Sequence, residues 1–195
     1  MRHNLSEVTE LIEDRRTIYP EQYSERKVHK EIVEKILKNA TWAPTHGMTQ
    51  PWRFKVFMEE GREKLSEFIS QAYKSMMAPE DFNEMKFSKL KNRPLKSSVV
   101  IVVCMERQKE EKIPEIEEIE AVACGIQNMY LTATAYGIGC FWSSPKLIYT
   151  REMNQFLGIG EKDKCLGLIY LGYPEIEWPK GHRKPLEYFT EWIEE

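Results

Sequence analysis

IEEIEAVACGIQNMYLTATAYGIG, residues 116–139, is the stretch that decides how this chain folds. Apolar side chains recur at Ile116, Ile119, Val122, Ala123, Ile126, Met129, Tyr130, Ala133 and Ala135. That spacing is the repeat of an α-helix with a continuous buried face. No other helical pattern in the chain is as long or as apolar, so the stretch predicts the element around which the rest packs. Small residues from Ala121 to Gly125 would let a second helix approach closely. Gly137 and Gly139 end the helix, and CFWSS (140–144) follows as a short strand or turn.

On the amino-terminal side, RQKEEKIPEIEE (107–118) reads as a charged loop entering the helix after Pro114, and SSVVIVVCM (97–105) as a β-branched strand buried on both faces. Residues 79–97 are rich in Lys, Asn and Pro, with Phe82, Met85 and Phe87 among them, and predict a helix or a mobile flap. A helix is expected from Arg62 to about Met77, preceded by a strand over 52–58. Ile32, Val33, Ile36, Leu37 and Ala40 mark another helix, which must stop before Pro44. Leu5, Val8, Leu11 and Ile12 mark the first, ending near Asp14. On the carboxy-terminal side come a short helix, Arg151–Leu157, closed by Gly158, and a second buried strand in CLGLIYLGYP (165–174). There is no repeat or linker. The expectation is a single α+β domain over 1–195: a mixed, mostly antiparallel sheet packed by helices around the long one.

The chain has 195 residues, 42% hydrophobic and 30% charged, which suits a globular domain with a sizeable core. A net charge of −3 gives no reason to expect a nucleic acid partner. Cys104, Cys124, Cys140 and Cys165 are widely spaced in apolar stretches, a pattern for buried thiols rather than a metal site or disulfides. The charged start, MRHNLSEVTELIEDRR, and the lack of any long apolar run predict a soluble cytoplasmic protein without a membrane span.

Motifs for self-contained catalysis are missing: no GxSxG, HExxH, Walker loop or GxGxxG, and the four histidines lie far apart. Such a chain is expected to borrow its chemistry from a cofactor, and no side chain is nominated as catalytic. Arg15 and Arg16, followed by Thr17, either place two cations at a helix C-terminus or form an oxyanion clamp. Arg183 and Lys184, in HRKP, are a second arm of such a clamp or a solvated basic tail. Phe141, Trp142 and Ser143 read as core plus turn, or as a wall for a flat ring. APTHGMTQPW (43–52) reads as a helix-to-strand junction in which Gly47 permits an unusual turn and His46 and Gln50 are free to meet a ligand.

Taken in order, RRT (15–17), APTHGMTQPW (43–52), GIQNMYLTATAYGIG (125–139) with CFWSS, KCLGLIYLGYP (164–174) and RKPLE (183–187) resemble the nitroreductase family of FMN-dependent oxidoreductases. The resemblance spans nearly the whole chain and implies a homodimer with FMN at the subunit interface and NADH or NADPH as donor. Arg15, Arg16 and Thr17 match the segment holding the FMN phosphate, ribityl chain and ring edge. His46 and Gln50 match positions reaching the flavin from the partner subunit. Phe141, Trp142 and Ser143 match the segment along the isoalloxazine, and Arg183, with Lys184 beside it, the late basic residue at the phosphate. The implied reaction carries hydride through flavin N5 to a small acceptor such as a nitroaromatic or quinone, in ping-pong fashion. A narrower flavin enzyme acting on activated double bonds or halogenated phenols, or a flavin-binding dimer without turnover, is the alternative. Two positions depart from the family pattern: Met48 stands where many members carry asparagine, and Ser143 where a close subgroup carries arginine.

Overall fold

Strand β2 (Val99–Met105) is apolar at every position, and it is buried at every position because it separates two cores. Val99, Ile101, Val103 and Met105 face one of them, Val100, Val102 and Cys104 the other, following the two-residue repeat of a strand. The computed structural model describes residues 2–194. Beside β2 lie β1 (Trp52–Phe57) and β4 (Lys164–Gly172), and β4 also carries β3 (Gly139–Ser143) on its far side. All three pairings are antiparallel, in the order β1-β2-β4-β3. A single parallel bridge, Thr17 to Cys140, adds the chain leaving the first helix to the β3 edge.

Helices α2 (Lys30–Ala40) and α5 (Glu115–Ala135) cover the first face, contributing Val33, Ile36, Ile126 and Met129 to its core. Helices α3 (Glu60–Met76), α4 (Glu84–Lys96) and α6 (Arg151–Leu157) cover the second with Leu65, Ile69, Leu90 and Met153. The long helix is therefore central, as its pattern predicts, and its small-residue segment has the expected use. A Cβ on Gly125 would stand 3.2 Å from the Ala40 carbonyl oxygen, so α2 and α5 meet at backbone distance there.

One alternative is decided and one expectation needs revision. Of the two readings of residues 79–97, the helix holds: most of the segment is the regular helix α4. Asn83 caps it by accepting the Lys86 N–H at 2.9 Å, and Phe82 packs against both Tyr73 and Phe87. Of the four thiols, Cys104, Cys140 and Cys165 are buried but Cys124 is exposed, because it sits on the outer side of α5. Helix α1 (Leu5–Asp14) is the outlier in packing: none of its residues is buried, and Leu5, Val8 and Ile12 turn apolar surface outward.

Candidate active site

The chain leaves α1 at Arg15, whose backbone is no longer helical (φ −59°, ψ 115°). Ile18 then plugs into the second core, and its N–H donates to the Cys140 carbonyl at 3.2 Å. This anchor lays residues 15–17 along α5 and β3. Between them opens a cleft of about 480 Å³, bordered by Arg15, Thr17, Gln127, Tyr130, Trp142 and Ser144. Its walls are part apolar and part hydrogen-bonding, the mixture that suits a flat guest with polar edges.

Tyr130 ties this cleft together. Its hydroxyl accepts the Trp142 N–H at 2.7 Å, beside Thr17 on the border of the same cleft. Burial pushes the phenol well above its ordinary pKa, reinforced by Cys140 and opposed by the Trp142 and Thr17 hydrogen bonds and the Arg15 charge. The Arg15 guanidinium stands 5.4 Å from the Tyr130 ring centre. Burial likewise raises the Cys140 thiol, so neither group is ionised near neutral pH. Tyr130 is a residue that sequence reasoning counted only as core. Its signal was a polar-tipped aromatic three positions from Gln127 on one face of an otherwise apolar helix.

A larger cleft of about 960 Å³ adjoins the first and shares Arg15 and Gln127 with it. One wall is the end of α1. The other is an extended strap, Trp178–Arg183, which brings in Lys180, His182 and Arg183. The strap is pinned where Trp178 Nε1 donates to the Asp14 carbonyl at 2.6 Å. Arg16 does part of what a helix-terminal cation would do. It donates to the Arg15 carbonyl at 2.7 Å and to the Glu13 carbonyl, satisfying oxygens left over at the end of α1. Its Nε, however, is buried with no partner among the described residues, a charged donor without an acceptor there.

The predicted residues thus fall into groups. Arg15, Thr17 and Trp142 share the smaller cleft; Arg15, Arg16 and Arg183 share the larger. Trp142 is held by its indole N–H, which donates to the Leu166 carbonyl at 3.0 Å. Phe141, its neighbour on β3, faces the other way and stacks near Tyr19 and Tyr170, so its side chain belongs to the second core. Ser143 ends β3, and Ser144 rather than Ser143 lines the cleft. Lys184 lines neither cleft and sits over the Tyr188 ring.

His46 and Gln50 also line neither cleft. His46 Nδ1 lies 2.5 Å from Glu117 Oε2, and the adjoining loop borders a separate depression beside the Arg107–Glu118 ion pair. Gly47, Met48 and Gln50 all have positive φ, of 56°, 55° and 47°. Two of the three are not glycine, and such strained backbone concentrates at functional sites.

The model of the nitroreductase family matches residues 12–173. The chain belongs to the nitroreductase family. Among its relatives is YdjA of Escherichia coli (strain K12), provisionally named an NAD(P)H nitroreductase, 31% identical over 147 residues, covering 75% of this chain and 78% of the relative. The crystal structure of a nitroreductase-like family protein from Bacillus cereus superimposes with a TM-score of 0.82 at 27% identity, over 99% of both chains. The FMN-dependent nitroreductase NfnB of Mycobacterium smegmatis, solved in complex with NADPH, shares the fold at a TM-score of 0.74 and 18% identity, over 97% of this chain and 100% of NfnB. In this nitroreductase the strap Trp178–Arg183 lies beyond the residues that the family model matches. Among the described residues no cluster of His, Cys, Asp or Glu is placed to hold a metal ion, and no helix is long and apolar enough to cross a membrane.

Proposed function

We propose that this nitroreductase is an FMN-dependent oxidoreductase that moves hydride from NADH or NADPH to a small flat acceptor, a nitroaromatic or a quinone, at one shared site in ping-pong fashion. The observation that carries the reading is the pair of joined clefts. One gathers Arg15, Arg16, Lys180 and Arg183 beside Glu13 and Asp14, with a buried Arg16 Nε that has no partner among the described residues, and the other is a slot between α5 and Trp142. A phosphate-tailed planar ring matches that order of chemistry from end to end, and the names of YdjA and NfnB agree with it.

In this reading Arg15, Arg16 and Arg183 grip the phosphate end, since guanidinium forks match oxyanions. Thr17 and Gln127 meet the polar middle, and the Trp142 indole walls the ring. A bound flavin would supply the two-electron redox chemistry. The chain's residues exclude water from one face and hold the ring's edge, and no acid or base side chain is required. A second copy completes the site: α1 offers the exposed apolar residues Leu5, Val8 and Ile12, and docking there is what would carry His46 and Gln50 to the partner's ring. Thiols without disulfides suit work in the reducing cytoplasm.

The test is the absorbance spectrum of the purified protein after incubation with FMN, followed by anaerobic NADH or NADPH. Oxidised-flavin bands that bleach with a nicotinamide and return on adding a nitroaromatic or quinone are expected. A protein that takes up no FMN from an excess would end the proposal.

A further inference from the structure

Arg16 is held from two sides. On one, its Nη atoms are engaged by the Glu13 and Arg15 carbonyls. On the other lies the backbone of Gly181, in the strap. A Cβ at 181 would stand 2.6 Å from Arg16 Nε and closer still to Cζ and Nη2, inside their van der Waals surfaces. The three atoms nearest that Cβ all belong to the far end of one flexible side chain, that of Arg16. The fold could therefore absorb a side chain at 181 simply by expelling the guanidinium from its seat, or by lifting the strap off it. Either way the loss falls on the cleft.

We propose that Gly181 is a positioning residue of the cation clamp. Its bare backbone lets the strap close on Arg16 and fixes that guanidinium, with its partnerless Nε, at the wall of the larger cleft. The inference rests on the reading of that cleft as the phosphate end of a flavin site, and adds to it a residue outside the family-matched segment.

The experiment compares Gly181→Ala, Arg16→Ala and the double variant with the parent. One readout is FMN affinity by quenching of flavin fluorescence, and the other is the rate of tryptic cleavage after Lys180 and Arg183 in flavin-free protein. Far-UV circular dichroism confirms the fold. Gly181→Ala should weaken FMN binding roughly tenfold or more, the worth of one charge-assisted hydrogen bond, and should speed cleavage of the strap. The double variant should bind no worse than Arg16→Ala alone, because without the guanidinium the new Cβ displaces nothing. Parental affinity in Gly181→Ala, or losses that multiply in the double variant, would overturn the proposal. If the parent takes up no FMN, the flavin reading fails, while proteolysis still decides the role of Gly181. Faster cleavage in Gly181→Ala than in the parent, falling to the Arg16→Ala rate in the double variant, supports it, and equal rates in Gly181→Ala and the parent overturn it.

Discussion

Replacing Tyr130 with phenylalanine removes one oxygen and keeps the ring. The deleted hydroxyl is the acceptor for the Trp142 N–H at 2.7 Å, in a partly buried place where water does not readily substitute. Stranding such a donor costs about 1–3 kcal/mol, and partial exposure favours the lower part of that range, about 1–2 kcal/mol. For a chain of this length each kcal/mol lowers the melting temperature by about 2–4 °C, so a fall of about 2–8 °C is expected. The second consequence is local. Trp142 loses the atom that holds its backbone at the smaller cleft, so FMN affinity should fall as well. Scanning calorimetry and a flavin titration measure the two effects separately. A variant that melts within a degree of the parent and binds FMN equally well would show that the hydroxyl joins nothing, and the account of the cleft would have to be rebuilt.

Two further outcomes follow from other buried groups. Glu118 is 1% exposed and is paired with Arg107, so Arg107→Met should leave a buried, uncompensated carboxylate and cost about 3–5 kcal/mol in urea unfolding. Adding Glu118→Leu should restore most of that, and a single-variant loss below about 1 kcal/mol would contradict the pairing. Burial raises the phenols of Tyr23, Tyr130 and Tyr170 above the ordinary value of 10.0, so the folded chain binds these protons more tightly than the unfolded one. Their contribution is intact below pH 10.0 and drains away as pH climbs from there through the folded-state values, which a series of melting curves should register. Tyrosinate absorbance of all three developing at the ordinary pH in still-folded protein would refute it.

Elements that bury a whole face were the readable ones. The run over 99–105 and the helix of 115–135 could be read because nothing but deep burial explains such unbroken apolar patterns. Arg151–Leu157 could be read to the residue, since Gly158 takes the left-handed conformation (φ 62°) that closes a helix. Arg15, Arg16 and Thr17 could be nominated from the family likeness, but what each side chain does could not. That Trp142 faces the cleft while Phe141 faces the core depends on the register of β3 on β4, which flips both if it slips by one. Residues 79–97 left helix and flap both open because their charge hides the pattern: Leu90 and Pro94 bury only a narrow stripe beneath the exposed lysines. The Arg107–Glu118 pair was invisible, as each residue read as part of a solvated charged run.

The cleft behind Arg16 is closed by the two ends of the described chain: Asp14 and Trp178 meet across 164 positions of sequence. Synthesis has to pass Arg183 before both walls exist, so a chain that ends just after β4 has all four strands of its sheet but only half a site. Premature termination or nicking near Lys180 would then leave a folded molecule with no second wall, a form of damage that a measurement of stability would miss.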